Sequence, residues 1–393
     1  MDPGGGVPER VYLDYAGFAP VDPRVLAVMR PFLEAGIGNP AAPHCLGAEA
    51  REALEAARVK VARLLGGHPS GLIFGSGATE ANNLAIRGVA GRPGAACHVI
   101  SSSVEHMSVI NSCRELEKGG ASVTLLPVDG EGRVDPDALR RALRPDTVLV
   151  SIGAANEEIG TVQPIADLAR ITRAARVPFH VDGVGAVGRV PIAAEASGID
   201  LVSVSGNDLY GPPGTGALWV RPGTKLLPQI LGGGQEAGYR SGTENVPGFV
   251  GLGVAAELMR AEASHGETAR IQRFRDRLRD GLLSAIADCR VSGAAAARLP
   301  HHLSLLVRGA KADSIILDLD VAGVAASSGS ACASRTSQPS HVLRAIGCPE
   351  EEAQGSLSFT LGRWTSPAEI DAVLERLPRI VARLRSLAVP ASG

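Results

Sequence analysis

Three acidic residues and one histidine are the side chains in this sequence best suited to acid–base chemistry. Asp182 and Asp208 each follow an apolar run, while Glu157 and His106 lie in other segments between apolar runs. Carboxyl groups that share one pocket oppose each other's ionisation, which raises their pKa values. A pocket of this kind can hold both an acid and a base near neutral pH. The sequence therefore predicts a site that transfers protons.

Cys332 indicates a second kind of chemistry. Residues 327–334 read SSGSACAS, and a loop of small residues keeps a thiol exposed, as a nucleophile must be. The other cysteines are far apart and form no CxxC pair. In a long chain this spacing predicts free thiols and argues against disulfides or a zinc site; those residues are Cys45, Cys97, Cys113, Cys289 and Cys348.

A glycine-rich loop at residues 75–80, GSGATE, precedes a predicted helix. Backbone N–H groups and a hydroxyl at a helix N-terminus can bind an anion such as phosphate. The alternative is that the loop is only a turn that begins the helix.

Alternating strands and helices position these residues. Strands are predicted at Ala121–Pro127, Thr147–Ile152, Val177–Val181 and Leu201–Val204, and Asp135 is suited to N-cap a helix between the first two. This alternation predicts a mainly parallel sheet covered on both faces. In such sheets the site collects at the carboxyl ends of the strands, where both aspartates fall.

Composition excludes several classes of protein. The 393 residues are 45% hydrophobic and 20% charged, with a net charge of -2, so neither nucleic acid nor an anionic membrane is expected as the main partner. No signal peptide or membrane span is predicted, so we expect a cytoplasmic location. The length favours two domains. We predict an N-terminal segment at 1–24 packing with the small domain, a large α/β domain at 25–255 and a small α+β domain at 256–393.

Residues 203–218, SVSGNDLYGPPGTGAL, resemble the cofactor loop of the cysteine desulfurases and selenocysteine lyases. These enzymes belong to the class V aminotransferase group, fold type I of the pyridoxal phosphate (PLP) enzymes. The resemblance runs from Leu13 to Arg363. It implies a large domain with a mainly parallel, seven-stranded type of sheet and a smaller C-terminal domain. It also implies a homodimer, a small-molecule substrate and a partner protein for sulfur transfer.

The resemblance assigns roles to individual residues. His106 corresponds to the histidine that stacks on the PLP ring, Asp182 to the carboxylate that pairs with its nitrogen, and Cys332 to the nucleophile that carries a persulfide. The resemblance also implies a phosphate cup, which would bind another anion if PLP were absent; its residues are Thr79, Ser205, Asn207 and, from across the dimer interface, Thr243.

Five positions depart from the family pattern. Asn207-Asp208 replaces His-Lys, and a carboxylate cannot condense with an aldehyde as the lysine does. Gly185 replaces a glutamine and Glu157 an asparagine, both of which contact the PLP ring oxygen. Ser358 replaces the arginine that binds the substrate carboxylate. The pocket becomes more negative, and no remaining lysine looks like a substitute: these are Lys60, Lys118, Lys225 and Lys311.

From these departures we expect a divergent, lysine-lacking family member without PLP or another cofactor. The expected activity is a PLP-independent reaction in the old cofactor pocket, driven by Asp208, Asp182, His106 and Glu157, and not cysteine desulfuration. Two alternatives stay open at this point. One is a sulfur carrier or transferase dependent on Cys332, and the other is a non-catalytic scaffold in which Cys332 is a relic.

Overall fold

The computed structural model describes residues 10–34, 38–91, 97–329 and 340–388. The helices are α1 (Pro23–Glu34), α2 (Cys45–Leu65), α3 (Ala78–Ala90), α4 (Met107–Lys118), α5 (Pro136–Ala142), α6 (Ile165–Ala175), α7 (Ala194–Ser197), α8 (Val246–Ser264), α9 (Glu267–Ala285), α10 (Ala312–Val321), α11 (His341–Ala345), α12 (Glu350–Ala353) and α13 (Pro367–Ala388). The strands are β1 (Val11–Tyr12), β2 (Leu72–Gly75), β3 (His98–Ser102), β4 (Ser122–Leu126), β5 (Thr147–Gly153), β6 (Phe179–Asp182), β7 (Leu201–Ser205), β8 (Gly216–Val220), β9 (Cys289–Val291), β10 (His302–Val307), β11 (Val324–Ala325), β12 (Ser327–Ser328) and β13 (Ser356–Thr360).

A seven-stranded sheet forms the centre of the larger part of the molecule. Its strand order is β2-β8-β7-β6-β5-β3-β4, and the pairs from β7 through β4 are parallel. Strand β8 runs antiparallel to both of its neighbours. Strands β5 to β8 are almost entirely buried because helices cover both faces, which explains their nearly continuous apolar sequences. The predicted α/β fold with a mainly parallel, seven-stranded sheet is confirmed.

A second sheet is antiparallel, in the order β12-β13-β10-β9. It packs with α9, α10 and α13 around its own apolar core, which includes Leu305, Phe359 and Leu377. Strand β1 pairs in parallel with β11, so residues near the start of the chain lie against C-terminal elements. The predicted domain boundaries themselves stay predictions; the one at 255/256 falls inside α8. Within the described ranges, we find no helix with the length and apolarity that crossing a bilayer requires.

Candidate active site

The parallel strands bring most of the candidate residues to one edge of the large sheet. Strands β2, β3, β5, β6 and β7 all end at this edge, and the segments that follow them carry the glycine loop, His106, Glu157, Asp182 and Asp208. The carboxyl ends of parallel strands are where open α/β sheets bind ligands. Residues far apart in sequence are therefore gathered into one site.

Asp182 is buried and is held in place by two donors. Its Oδ2 accepts a hydrogen bond of 2.6 Å from Asn82 Nδ2, and its Oδ1 accepts one of 3.1 Å from the Val184 N–H. The same Asn82 nitrogen also donates to Ser108 Oγ at 2.9 Å. Burial raises the pKa of Asp182, whereas these two donors and the neighbouring His106 lower it. The carboxylate is thus fixed in orientation at the end of β6.

His106 is exposed and begins α4. Its Nδ1 accepts a hydrogen bond of 3.1 Å from the Ser108 N–H, and Ser108 Oγ lies 2.8 Å from the same atom. A neutral ring that accepts at Nδ1 carries its proton at Nε2. Because Ser108 also contacts Asn82, His106 and Asp182 belong to one hydrogen-bond chain.

Asp208 lies in a tight turn, Asn207–Leu209, directly after β7. The residue is only 7% exposed, and the Ser205 hydroxyl lies nearby. Arg189 Nη2 donates to the Asp208 backbone oxygen at 2.8 Å. Burial raises the pKa of Asp208, while Arg189 and the Ser205 hydroxyl act in the opposite direction.

The side chain of Glu157 projects toward Gly185. Both residues differ from those expected from the family pattern. A Cβ atom at position 185 would lie 2.9 Å from Glu157 Oε1, and Gly185 has a φ of +72°. Only glycine leaves room for this carboxylate and adopts the backbone conformation without strain. Burial, followed by the charges of Asp208 and Asp182, raises the pKa of Glu157 well above its usual value.

The predicted anion loop leads into α3. Gly77 occupies the N-cap position and no side chain caps the helix, so its first N–H groups are free of a side-chain acceptor. Thr79 is exposed in this first turn. Glu80 steadies the loop because its Oε2 accepts from the Ser76 N–H at 2.9 Å. An uncapped helix N-terminus beside a hydroxyl suits a phosphate group.

The segment that contains Thr243 is tied to this loop within the same chain. Arg240 Nε donates to Glu80 Oε1 at 3.0 Å, while Thr243 itself is exposed. Leu231, in the preceding segment, is 80% exposed.

Asn207, in the turn after β7, is partly buried, and its Oδ1 has no hydrogen-bond partner among the described residues.

Ser358 lies on β13 and is buried near the site. Its Oγ lies 3.3 Å from His302 Nε2, which donates to the Glu157 backbone oxygen at 2.6 Å. Ser358 is therefore linked to Glu157 through the imidazole of His302.

Cys332 lies outside the described residues, so its predicted role is untested. The other five cysteines are free thiols.

Sequence reasoning missed Asn82 and Arg189. Asn82 is a buried amide on α3, and the signal that could have indicated it is a polar residue on the helix face that otherwise packs against the sheet. Arg189 follows Gly188 in a loop, and no local pattern in the sequence indicates that its guanidinium reaches Asp208.

Comparison with known proteins defines the class. Residues 11–373 match the aminotransferase class-V family, and the chain belongs to it. Cysteine desulfurase IscS 1 of Archaeoglobus fulgidus is 46% identical over 96% of this chain and 98% of its own length. Cysteine desulfurase IscS of Dictyoglomus turgidum is 45% identical over 96% of both chains. A solved NifS-like protein has a TM-score of 0.89 at 34% identity, covering 95% of this chain and all of its own. A structure of SspA in complex with cysteine has a TM-score of 0.80 at 36% identity, and the match covers 90% of this chain and 99% of the SspA chain.

These relatives overturn the functional interpretation drawn from the five departures. The expectations of a PLP-independent reaction, of no cofactor and of a chain that is not a cysteine desulfurase are wrong, because relatives this similar over the whole length are named cysteine desulfurases. The alternatives of a PLP-free sulfur carrier and of a non-catalytic scaffold fail for the same reason. The structure shows part of the physical cause. Gly185 makes room for Glu157, and Arg189 supplies positive charge beside Asp208, so the changes are accommodated within the pocket.

Proposed function

We propose that this protein is a PLP-dependent cysteine desulfurase that converts L-cysteine to alanine and retains the sulfur on Cys332. The observation that carries the proposal is the pairing of an uncapped α3 N-terminus with the fixed carboxylate of Asp182 at the same sheet edge. These features suit the two ends of PLP, its phosphate and its ring nitrogen. The names of the relatives, including one solved with cysteine bound, support the same substrate.

The fit of the site to PLP is best at those two ends. The α3 N–H groups, Thr79 and Ser205 would hold the phosphate, with Asn207 beside them. Asp182, oriented by Asn82, would hold the ring nitrogen in its protonated form, and His106 would lie over the ring. When bound, PLP supplies an electron sink for the bonds that break at the substrate.

Proton transfer falls to the carboxyl groups at the aldehyde end. In this proposal Asp208, which is buried in the turn after β7, exchanges a proton with the substrate. Glu157 is the second group there, and its raised pKa favours the protonated form, which can donate. Two coupled carboxyl groups can share one proton, which provides a base and an acid in one pocket.

Cys332 would accept the sulfur. Its thiolate attacks the sulfur of the substrate, an S–S bond forms, and the Cβ–S bond of the substrate breaks. The electron pair of that bond stays with the carbon skeleton, which takes up a proton and leaves as alanine. The outer sulfur of the Cys332 persulfide then passes to an acceptor protein, or the persulfide is reduced by a thiol.

A cytoplasmic location of the protein stays a prediction.

A homodimer completes the proposed site. Thr243 and Leu231 are exposed although their segment is anchored to the α3 loop through Arg240 and Glu80. A second subunit that covers this surface would remove the apolar Leu231 from water. In the dimer, Thr243 of the partner subunit would reach the phosphate of PLP.

Alanine formation from L-cysteine, measured with and without added PLP in the presence of dithiothreitol, tests the proposal. We expect PLP-dependent alanine and sulfide in equal amounts, and loss of both in the Cys332→Ser variant. Alanine formation that is indifferent to PLP, or no alanine at saturating PLP, would contradict it.

A further inference from the structure

Three buried polar groups meet at a small cavity behind Asp208. Arg189 Nη1, His301 Nδ1 and Glu267 Oε1 have no hydrogen-bond partner among the described residues. All three residues line one cavity of about 20 Å³, together with Tyr210 and Met259. Arg363 Nε lies 3.6 Å from Glu267 Oε1, which is an ion pair but too long for a hydrogen bond. Buried polar atoms without partners are uncommon, and three around one cavity call for a shared partner.

The size and chemistry of the cavity suit a single water molecule. A polar cavity of roughly 10–15 Å³ or more, with two to four polar neighbours, is enough for one ordered water. The guanidinium can only donate, and burial, followed by the neighbouring Glu262, raises the pKa of Glu267 to about 7. A carboxyl group keeps an oxygen that accepts in either protonation state. Burial, followed by the nearby charge of Arg189, lowers the pKa of His301 well below its usual value, so its ring is neutral and one nitrogen can accept. One water therefore satisfies all three groups by accepting one hydrogen bond and donating two.

The other side of Arg189 faces the candidate active site. Its Nη2 donates to the Asp208 backbone oxygen at 2.8 Å, and its guanidinium carbon lies 6.0 Å from the centre of the Tyr210 ring. Tyr210 has a left-handed backbone conformation, with φ of 59°, and the turn before it carries Asp208. Arg189 and Tyr210 therefore both join this turn to the cavity, and Arg189 does so by a hydrogen bond.

We propose that the cavity binds one ordered water shared by Arg189, His301 and Glu267, and that Arg189, held by this water, is a positioning residue for Asp208. Glu267 begins α9 and His301 immediately precedes β10. The water therefore connects C-terminal elements to the turn that carries Asp208. A small displacement of α9 or β10 is transmitted to Asp208 through three hydrogen bonds, two made by the water and one from Arg189 to the Asp208 backbone oxygen. This structural link holds independently of the reaction, and only its effect on catalysis rests on the proposed function.

The charge of Arg189 also acts on the carboxyl groups of the site. Burial raises the pKa values of Asp208 and Glu157, and Arg189 is the neighbouring cation that opposes this rise in both. Replacing Arg189 by an uncharged residue of similar length should move the pH dependence of turnover to higher pH. A residue that only supported the fold would lower turnover without such a shift.

A crystal structure at high resolution tests the water directly. We expect density for one water within hydrogen-bond distance of Arg189 Nη1, His301 Nδ1 and Glu267 Oε1. A cavity without such density overturns the first part of the proposal. This measurement needs neither PLP nor substrate, so its failure is distinguishable from failure of the proposed function.

Hydrogen exchange of the 206–211 backbone amides in the PLP-free protein tests the positioning role. Loss of a buried hydrogen bond makes local opening easier, so we expect Arg189→Met to speed exchange in this segment about tenfold, which corresponds to about 1.4 kcal/mol. His301→Phe, which keeps Arg189 but removes one partner of the water, should act in the same direction and more weakly. Arg189→Lys should recover part of the protection, and Arg273→Met, at an exposed position on α9, serves as the matched control. Unchanged exchange at 206–211 in both Arg189→Met and His301→Phe overturns the positioning role.

Discussion

At the scale of single residues, the contact between Asn82 and Asp182 sets the state of the carboxylate. Asn82 donates to Asp182 Oδ2 at 2.6 Å in a buried setting, and this bond favours the ionised form. Ionised Asp182 is the form that pairs with a protonated ring nitrogen. The same contact therefore links a helix side chain to binding of the cofactor.

We predict that Asn82→Ala weakens PLP binding by about tenfold or more, because a hydrogen bond to a charged group contributes roughly 1.5–3 kcal/mol. Asn83→Ala is the matched control, since the Asn83 side chain donates to the Thr79 backbone oxygen and not to Asp182. Absorbance titration with PLP measures both. Equal affinities in the Asn82→Ala and Asn83→Ala variants would show that Asp182 does not depend on Asn82.

Gly185 and Glu157 are expected to be energetically coupled. Gly185→Ala places a Cβ atom 2.9 Å from Glu157 Oε1 and also forces a side chain into a left-handed conformation. The backbone term alone costs about 1–2 kcal/mol. We predict that Glu157→Ala relieves the steric part of the stability loss caused by Gly185→Ala but not the backbone part. The two substitutions should therefore show a coupling energy of at least about 0.5 kcal/mol in a double-mutant cycle. Urea unfolding of the four proteins measures it, and strict additivity would argue against the contact.

At the scale of elements, Glu105 ties the turn between β3 and α4 to β5. Its Oε1 accepts from Ser102 Oγ at 2.5 Å and its Oε2 from the Gly153 N–H at 2.8 Å. Burial raises the pKa of Glu105 to about 8, from a usual 4.5. Between these two values the folded protein keeps a proton that the unfolded chain releases. The stabilisation of the fold by protonated Glu105 is therefore fully present below about pH 4.5. It is lost as the pH rises from there to about 8.

We predict that Glu105→Gln flattens the pH dependence of stability between about pH 5 and pH 8. The wild-type protein should lose up to about 1.4 kcal/mol per pH unit in this window relative to the variant, the value for one proton. Other groups that titrate there, such as Glu158 with a pKa raised to about 7, are present in both proteins and cancel in the difference. Parallel stability curves for the two proteins would disprove a protonated Glu105.

Most elements could be predicted from the sequence because their signals are local. The strand predicted at Val177–Val181 is β6 at Phe179–Asp182, and that at Leu201–Val204 is β7. Asp135 caps α5, accepting from the N–H groups of Asp137 and Ala138. The long helices α8 and α9 are separated at Gly266, which has a left-handed conformation that glycine adopts readily.

At the scale of the whole molecule, the reaction was predicted wrongly although the fold was predicted correctly. Each departure from the family pattern makes the pocket less suited to PLP when its residue type alone is considered, and together they make it more negative. The contacts that accommodate them join residues far apart in sequence, such as Gly185 with Glu157 and Arg189 with Asp208. Such pairings depend on the completed fold, so local pattern and spacing do not indicate them. Similarity over 96% of the chain gives the better measure of function.

Complementation between inactive variants tests the proposed dimer. Asp182→Asn removes a residue of a subunit's own site, whereas Thr243→Ala removes one that we propose is donated to the other subunit. In a mixed dimer of the two variants, one site combines both defects and the other is intact. We predict that mixing restores PLP binding to one site in each mixed dimer. If Thr243 acts within its own subunit, each site keeps one defect and mixing restores nothing.

The measurement that tests the central claim most directly is the mass of the peptide that contains Cys332. The protein, loaded with PLP and treated with a limiting amount of L-cysteine, is digested and its peptides are weighed. The account predicts a gain of one sulfur atom on Cys332, together with one alanine released for each sulfur gained. An unmodified Cys332 peptide with no alanine in solution would contradict PLP-dependent cysteine desulfuration by this protein.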